Sequence, residues 1–125
     1  MVTGIEHTAI ASPNPQQLAQ WYVSTFGFVI NFNSPNAVFV KAPDGTMIEI
    51  ITSEGEVGPK KIKDPGLRHL ALTVSDYDTV YAELKAKGTV FAGEPIINNN
   101  VKVAFFTDPE GNFLHIIQRL TPLGN

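Results

Sequence analysis

The chain has 125 residues, of which 43% are hydrophobic and 17% are charged, a composition typical of one globular domain and too apolar for a disordered segment. The net charge of −3 argues against a nucleic-acid partner, and the absence of cysteine excludes disulfides, cysteine-ligated zinc and thiol nucleophiles. No apolar run reaches the length of a membrane span and no secretion signal is present, so we expect a cytoplasmic protein with no membrane partner.

The first half of the chain predicts a strand followed by a helix. Residues 4–11 have the pattern of a strand, and the next segment, "SPNPQ", indicates a helix start with Asn14 as N-cap and Pro15 at the first helical position. Apolar residues at helical spacing continue to Phe26, and Gly27 is the expected stop.

Three further strands are predicted after this helix. Residues 28–32 and 36–42 are rich in β-forming side chains, and the turn Asp44-Gly45 separates the second run from residues 46–52. The first half is therefore predicted to be strand, helix, strand, strand, strand.

The same order is predicted for the second half. Residues 53–66 lack periodicity and are rich in glycine and proline, which predicts a linker. A strand is expected over residues 67–74, followed by a helix with Ser75 as N-cap and Asp78 three residues later, ending at Gly88.

The remaining strands are expected over residues 89–93, 101–107 and 112–118, with a Pro-Glu-Gly turn before the last of them. Two βαβββ modules, residues 4–52 and 67–118, therefore account for nearly the whole chain.

The two modules also align in detail. "APDGTMIEII" in the first module matches "DPEGNFLHII" in the second, so that Glu49 and His115 occupy the same position after a turn glycine. His7 in the first strand of one module likewise aligns with His69 in the first strand of the other. Each module thus contributes one histidine from its first strand and one Glu or His from its last.

Strand alternation places all four of these side chains on the face opposite the one expected to pack on the helices. A lone strand histidine is most often a hydrogen-bonded structural residue. The chain contains only three histidines, however, and all three lie at repeat-equivalent positions with Glu49 as the fourth member. Because a buried glutamate is costly unless it is paired or bound to metal, the pattern predicts a shared metal site.

The modules, with "IEHTAIASPNPQQLAQWYVSTFGF", "GLRHLALTVSDYDTVYAELKAKG" and "TDPEGNFLHI", resemble the vicinal-oxygen-chelate superfamily of glyoxalases, bleomycin resistance proteins and dioxygenases. The resemblance implies an α+β fold in which two tandem βαβββ modules form a curved mixed sheet with a cup-shaped cleft. It also implies one domain over residues 1–125, in which residues 53–66 join the modules.

The superfamily's ligand positions correspond here to His7, Glu49, His69 and His115. The resemblance implies that they bind one divalent ion, which could be Zn, Ni, Co, Fe or Mn. The last position is usually glutamate in the superfamily, so His115 leaves Glu49 as the one carboxylate that could act as a catalytic base. Arg68 and Arg119 are the only arginines, and neither matches the arginines with which glyoxalase I holds glutathione.

The implied function is a metal-dependent lyase or isomerase of the glyoxalase type. Such an enzyme chelates two neighbouring oxygens of a small substrate and moves a proton alpha to a carbonyl. An extradiol-type dioxygenase and a non-catalytic, drug-binding protein of the bleomycin-resistance type are the alternatives. A homodimer is also expected, and the four ligands could come from one chain or from two.

Overall fold

The computed structural model describes residues 1–56 and 61–124, and the chain divides into two compact units, Met1–Gly58 (unit 1) and Pro59–Asn125 (unit 2). Residues 57–60 of the predicted linker lie outside the described residues.

Unit 1 contains a four-stranded mixed sheet and one helix. Its elements are β1 (His7–Ser12), α1 (Pro15–Phe26), β2 (Val29–Ser34), β3 (Ala37–Lys41) and β4 (Met47–Thr52). The strand order is β1-β4-β3-β2, in which β1 runs parallel to β4 and the other pairs are antiparallel. The strands β1 and β2 are therefore the two edges.

The ends of α1 follow the sequence signals. The Asn14 side chain accepts a hydrogen bond from the Gln17 amide at 3.2 Å, and Pro15 occupies the first turn, where a missing amide is tolerated. Gly27 adopts a left-handed conformation with φ of 74° and donates its amide to the Val23 carbonyl at 2.9 Å. The predicted start and stop of this helix are confirmed.

Alternation along the strands sets the core of unit 1. The buried side chains belong to one face of α1 and to alternate positions of β3 and β4: Leu18, Ala19, Tyr22, Val38, Val40, Ile48 and Ile50. The intervening strand residues, among them Phe39 and Glu49, point to the opposite face and are only partly buried. That face, opposite the one that packs on α1, carries the predicted functional side chains.

Unit 2 repeats this plan with one additional short strand. Its elements are β5 (His69–Thr73), α2 (Tyr77–Ala86), β6 (Val90–Phe91), β7 (Ile96–Ile97), β8 (Val101–Thr107) and β9 (Phe113–Arg119). The strand order is β5-β9-β8-β6, with β5 parallel to β9. The short strand β7 also pairs with β8, at a different part of that strand from β6. The strand β7 was not predicted, because its two residues are ordered by their partners Val103 and Lys102 and not by a local pattern.

The start of α2 differs by one residue from the prediction. Asp76, and not Ser75, is the N-cap, because its carboxylate accepts from both the amide of Thr79 (3.2 Å) and its hydroxyl (2.7 Å). The Ser75 carbonyl instead accepts a hydrogen bond from the Gln118 side chain at 2.9 Å, which ties the helix start to β9.

The turn before the last strand is the same in both units. In each turn, the residue before the proline accepts a backbone hydrogen bond from the glycine amide and donates its own amide to the carbonyl of the residue after the glycine. Ala42 pairs in this way with Gly45 and Thr46, and Asp108 with Gly111 and Asn112, at 2.9–3.0 Å. Both glycines have positive φ, 92° and 85°, which other residues adopt at a cost. The alignment that places Glu49 and His115 at equivalent positions is therefore structural as well as sequential.

Each unit has a βαβββ arrangement with a mixed sheet, and the predicted α+β fold class is confirmed. In the described part of the chain, neither helix is long and apolar enough to cross a membrane.

Candidate functional site

In unit 1, the first and last strands bring His7 and Glu49 together. The strands β1 and β4 are parallel neighbours, with His7 opposite Met47 and Ala9 opposite Glu49. The His7 Nε2 atom lies 3.5 Å from Glu49 Oε1, and both side chains are partly buried. We refer to these residues as the unit 1 donor pair.

The separation of this pair suits two ligands of one ion. Two donors bound to a tetrahedral ion at about 2.1 Å lie about 3.4 Å from each other, close to the spacing of Nε2 and Oε1. The Nδ1 atom of His7 lies 2.9 Å from Glu6 Oε1. When Nδ1 donates its proton to Glu6, the Nε2 lone pair remains free on the Glu49 side.

In unit 2, the equivalent strands bring His69 and His115 together. The strands β5 and β9 are parallel neighbours, with Ala71 opposite His115. The two imidazole centroids are 4.7 Å apart and the ring planes are inclined by 41°. His69 is exposed at the sheet edge, whereas His115 lies inside it with 9% of its surface exposed. These residues are the unit 2 donor pair.

The environment of His115 disfavours protonation and leaves its nitrogens without partners. Burial, followed by the neighbouring positive charges of His69 and Arg119, lowers the pKa of His115 from 6.5 to about 4. Both Nδ1 and Nε2 are buried, and neither has a hydrogen-bond partner among the residues that the structure describes. A buried imidazole without a partner is costly, and coordination of a metal ion by one nitrogen would offset that cost.

A phenylalanine stands beside each donor pair, a feature that the sequence reasoning missed. Phe39 contacts the His7 ring edge to face with centroids 5.2 Å apart, and Phe105 contacts His69 in the same manner at 5.2 Å and His115 at 4.6 Å. Both phenylalanines lie opposite the last-strand donor of their unit. The aligned runs "AVFVK" and "VAFFT" carried this signal, since they place a phenylalanine at the same register position.

The structure therefore brings the four predicted residues together as two pairs, one within each unit. In the described part of the chain, no three His, Cys, Asp or Glu side chains form a group that could hold a metal ion. A tetrahedral site takes three or four protein ligands, so neither pair is a complete site by itself. The residue types of both pairs, the spacing of His7 and Glu49, and the buried nitrogens of His115 nevertheless fit a divalent ion.

A cleft in unit 2 lies apart from the donor pair. It is formed where β5 and β9 end, and its lining residues are Thr73, Val74, Ser75, Ile117, Gln118 and Arg119. The Gln118 amide inside it is already engaged, since it donates to the Ser75 carbonyl and accepts from the Tyr77 amide at 2.9 Å. We assign this cleft a structural role at the start of α2.

Two units, each with a first strand, a helix and a mixed sheet in which the first and last strands are parallel neighbours, have the arrangement of glyoxalase-like proteins. The sequence matches the family model described as "Glyoxalase/Bleomycin resistance protein/Dioxygenase superfamily" over residues 4–116. The chain belongs to this superfamily.

The chain is also similar to individual proteins over most of its length. The chain is 29% identical over 122 residues to the uncharacterized protein YurT of Bacillus subtilis (strain 168), a match covering 90% of this chain and 96% of YurT. A glyoxalase family protein from Enterococcus faecalis is 27% identical, with a TM-score of 0.76 and coverage of 92% and 97% of the two chains. The oxidase ChaP-H2 shares the fold, with 24% identity, a TM-score of 0.77 and complete coverage of both chains.

Proposed function

We propose that the protein is a metal-dependent lyase or isomerase of the glyoxalase type, in which His7, Glu49, His69 and His115 hold one divalent ion. The observation that carries the proposal is the repeat of one arrangement, a donor pair on the first and last strands of each unit. The buried, unpartnered nitrogens of His115 support a ligand role for the member that departs from the superfamily's usual glutamate.

The donor set is three imidazoles and one carboxylate, which suits Zn²⁺, Ni²⁺, Co²⁺, Fe²⁺ or Mn²⁺. A divalent ion bound there would supply Lewis acidity toward two neighbouring oxygens of a substrate. The low pKa of His115 keeps its imidazole neutral at pH 7, so its lone pair is available without prior loss of a proton.

Glu49 is the proposed base. It is the one carboxylate of the donor set, and its side chain is partly buried beside His7. A carboxylate in this position can accept a proton alpha to a substrate carbonyl and return it to a neighbouring atom. One shuttling base is sufficient for an isomerase or lyase step.

We further propose that the protein is a homodimer and that each ion is held by the unit 1 pair of one copy and the unit 2 pair of the other. The observation that supports this proposal is that each pair supplies only two ligands, fewer than the three or four that a tetrahedral ion takes from protein. Twofold dimers are the commonest assemblies of soluble proteins, and they would generate two equal sites.

A second candidate function is an oxidase or dioxygenase. The same set contains two histidines and a carboxylate, His7, His69 and Glu49, which is the ligand type of many non-haem Fe²⁺ oxygenases. Activity on a catechol with Fe²⁺ and oxygen, absent with Zn²⁺, would favour this candidate. Conversion of hemithioacetals or 2-oxo acids with Zn²⁺ or Ni²⁺ would favour the lyase or isomerase.

The metal proposal is tested by metal analysis of the wild type, His69→Ala and Glu49→Ala. We expect near one ion per chain in the wild type. Each variant should bind Zn²⁺ at least about 100-fold more weakly, because loss of a direct ligand exceeds the 10- to 100-fold cost of losing a supporting hydrogen-bond partner. Glu83→Ala, an exposed glutamate on α2, is the matched control and should keep its metal. Full metal content in both ligand variants would contradict the proposal, and a metal-free wild type would favour the drug-binding alternative.

A further inference from the structure

Cross-strand pairing places a continuous row of side chains on the face of the unit 1 sheet opposite α1. Ala9, Glu49, Phe39 and Phe32 are successive partners on β1, β4, β3 and β2. Directly paired residues of neighbouring strands project to the same face. Glu49 and two phenylalanine rings therefore share one surface.

The aromatic part of this row is continuous from the donor pair to the sheet edge. The Phe39 ring meets the His7 ring edge to face at 5.2 Å, and the Phe32 ring meets Phe39 in the same manner at 6.1 Å. We refer to Phe32 and Phe39 as the aromatic row. It begins beside the donor atoms and ends at the edge strand β2.

The outer ring of the aromatic row is left uncovered. Phe32 is 54% exposed, although most of its row partner Phe39 is covered by neighbouring side chains. A large apolar ring in water gains free energy when another apolar group covers it. Exposed aromatic surface beside a few polar donor atoms is typical of a ligand site.

The row of unit 2 has no second phenylalanine in the described residues, so the repeated fold does not require one. There the row runs Ala71, His115, Phe105, and the next backbone contact is the Ala92 amide, which donates to the Phe105 carbonyl at 2.9 Å. An alanine thus stands next to Phe105 where Phe32 stands next to Phe39. The second aromatic ring is a particular feature of unit 1.

We infer that the aromatic row binds an aromatic ring of the substrate, so that the substrate is an aromatic compound carrying two neighbouring oxygens. This inference rests on the proposed function and names the substrate class for the same site. A substrate ring lying against Phe32, edge to face or offset, would place its oxygen-bearing substituent toward His7 and Glu49.

The test compares two 2-oxo acids that share their neighbouring oxygens and differ only in a phenyl or methyl group, benzoylformate and pyruvate. Their Kd values are measured by calorimetry for the wild type and Phe32→Ala, with and without Zn²⁺. We expect the wild type to bind benzoylformate about tenfold more tightly than pyruvate. Phe32→Ala should lose most of this preference without changing the affinity for pyruvate.

Val29→Ala is the matched control. Val29 is 65% exposed on the same edge strand and lies outside the row, opposite Lys41, so its removal should leave the phenyl preference unchanged. An equal loss in Val29→Ala, an unchanged preference in Phe32→Ala, or no measurable binding of benzoylformate to the wild type would overturn the inference.

The dependence on Zn²⁺ tests the proposed metal site, and the preference for the phenyl group tests the aromatic inference. If both acids bind equally well with and without Zn²⁺, the result counts against the proposed metal site. The ratio of the Kd values for benzoylformate and pyruvate still decides the role of Phe32. Zn²⁺-dependent binding without a phenyl preference overturns the aromatic inference alone. Gel filtration of the same variants tests whether a second copy of the chain, and not a substrate, covers the Phe32 ring. If Phe32→Ala dissociates a dimer and leaves the preference for benzoylformate intact, the inference is wrong.

Discussion

His115 is a histidine in a position that suits the neutral imidazole and not the imidazolium. It is 9% exposed, and its ring contacts the Phe105 ring edge to face with centroids 4.6 Å apart. His69 and Arg119 add positive charge nearby, so burial and repulsion act in the same direction on its pKa. This one residue should therefore give the metal-free protein a measurable dependence on pH.

The sign of that dependence follows from the two pKa values. In the unfolded chain His115 takes up a proton near pH 6.5, whereas in the folded protein it does so only near pH 4. Between these values the unfolded state binds more protons, so stability falls as pH falls. The loss begins near pH 6.5, is complete below about pH 4, and amounts to about 3 kcal/mol.

Urea unfolding of the metal-free wild type and His115→Gln between pH 4 and pH 8 measures this effect. The glutamine side chain does not titrate in this range, so the difference in unfolding free energy between the two proteins should shift by about 3 kcal/mol in favour of the variant as pH falls. Comparison with the variant removes the contribution of the carboxylates that both proteins share. Parallel pH profiles would show that His115 is protonated as easily in the folded protein as in the unfolded chain.

At the scale of the element, the two equivalent turns are stabilised in different ways. In unit 2 the buried Asp108 carboxylate accepts from the amides of Glu110 and Asn112 and from the Asn112 side chain, at 2.8–3.0 Å. In unit 1 its position is taken by Ala42, and the exposed Asp44 accepts instead from the amide and hydroxyl of Thr46. The turn that precedes His115 is therefore held by a buried carboxyl group that accepts three hydrogen bonds.

Alanine substitution at the two aspartates should separate these turns. Asp108→Ala removes a carboxylate that is 3% exposed and leaves amide donors of a half-buried turn without their acceptor, which should cost about 3 kcal/mol. Asp44→Ala exposes its donors to water and should cost distinctly less. Urea unfolding of both variants at pH 7.5 measures the difference, and equal losses would contradict the assigned role of Asp108.

Elements with strong local signals were predictable from the sequence. The Asn14-Pro15 start of α1, the glycine turns and the alternation around Ile48 and Ile50 depend on local conformation and on the period of a strand. The strand β7 and the N-cap at Asp76 were not predicted, because the first depends on pairing with β8 and the second on a choice between adjacent residues that both can cap a helix.

The residues of the candidate site were predictable from the sequence, but the distances between them and the exposure of their neighbours were not. Repeat alignment selects His7 and Glu49, but the 3.5 Å between them depends on the register of two parallel strands that are distant in sequence. Likewise, nothing local distinguishes Phe32 from the other phenylalanines, since its exposure follows from the position of β2 at the edge of the sheet. Long-range pairing therefore determines the parts of the site that the sequence pattern leaves undefined.

At the scale of the whole molecule, the repeat provides two donor pairs for each chain. A twofold dimer in which each ion is bound by the unit 1 pair of one copy and the unit 2 pair of the other would contain two equal sites. A site within one chain would use the same four residues. The two arrangements respond differently when chains with different substitutions are mixed.

Mixing Glu49→Ala with His69→Ala distinguishes them. In a mixed dimer with shared sites, one site receives both substitutions, while the other combines the intact unit 1 of the His69→Ala chain with the intact unit 2 of the Glu49→Ala chain. Half of the dimers in an equal mixture are mixed, so we expect metal content to recover to about a quarter of the wild-type value after co-refolding. His7→Ala mixed with Glu49→Ala is the control, because both substitutions lie in unit 1 and no intact site can form. Metal content that stays at the level of the separate variants in both mixtures would show that each site is built within one chain.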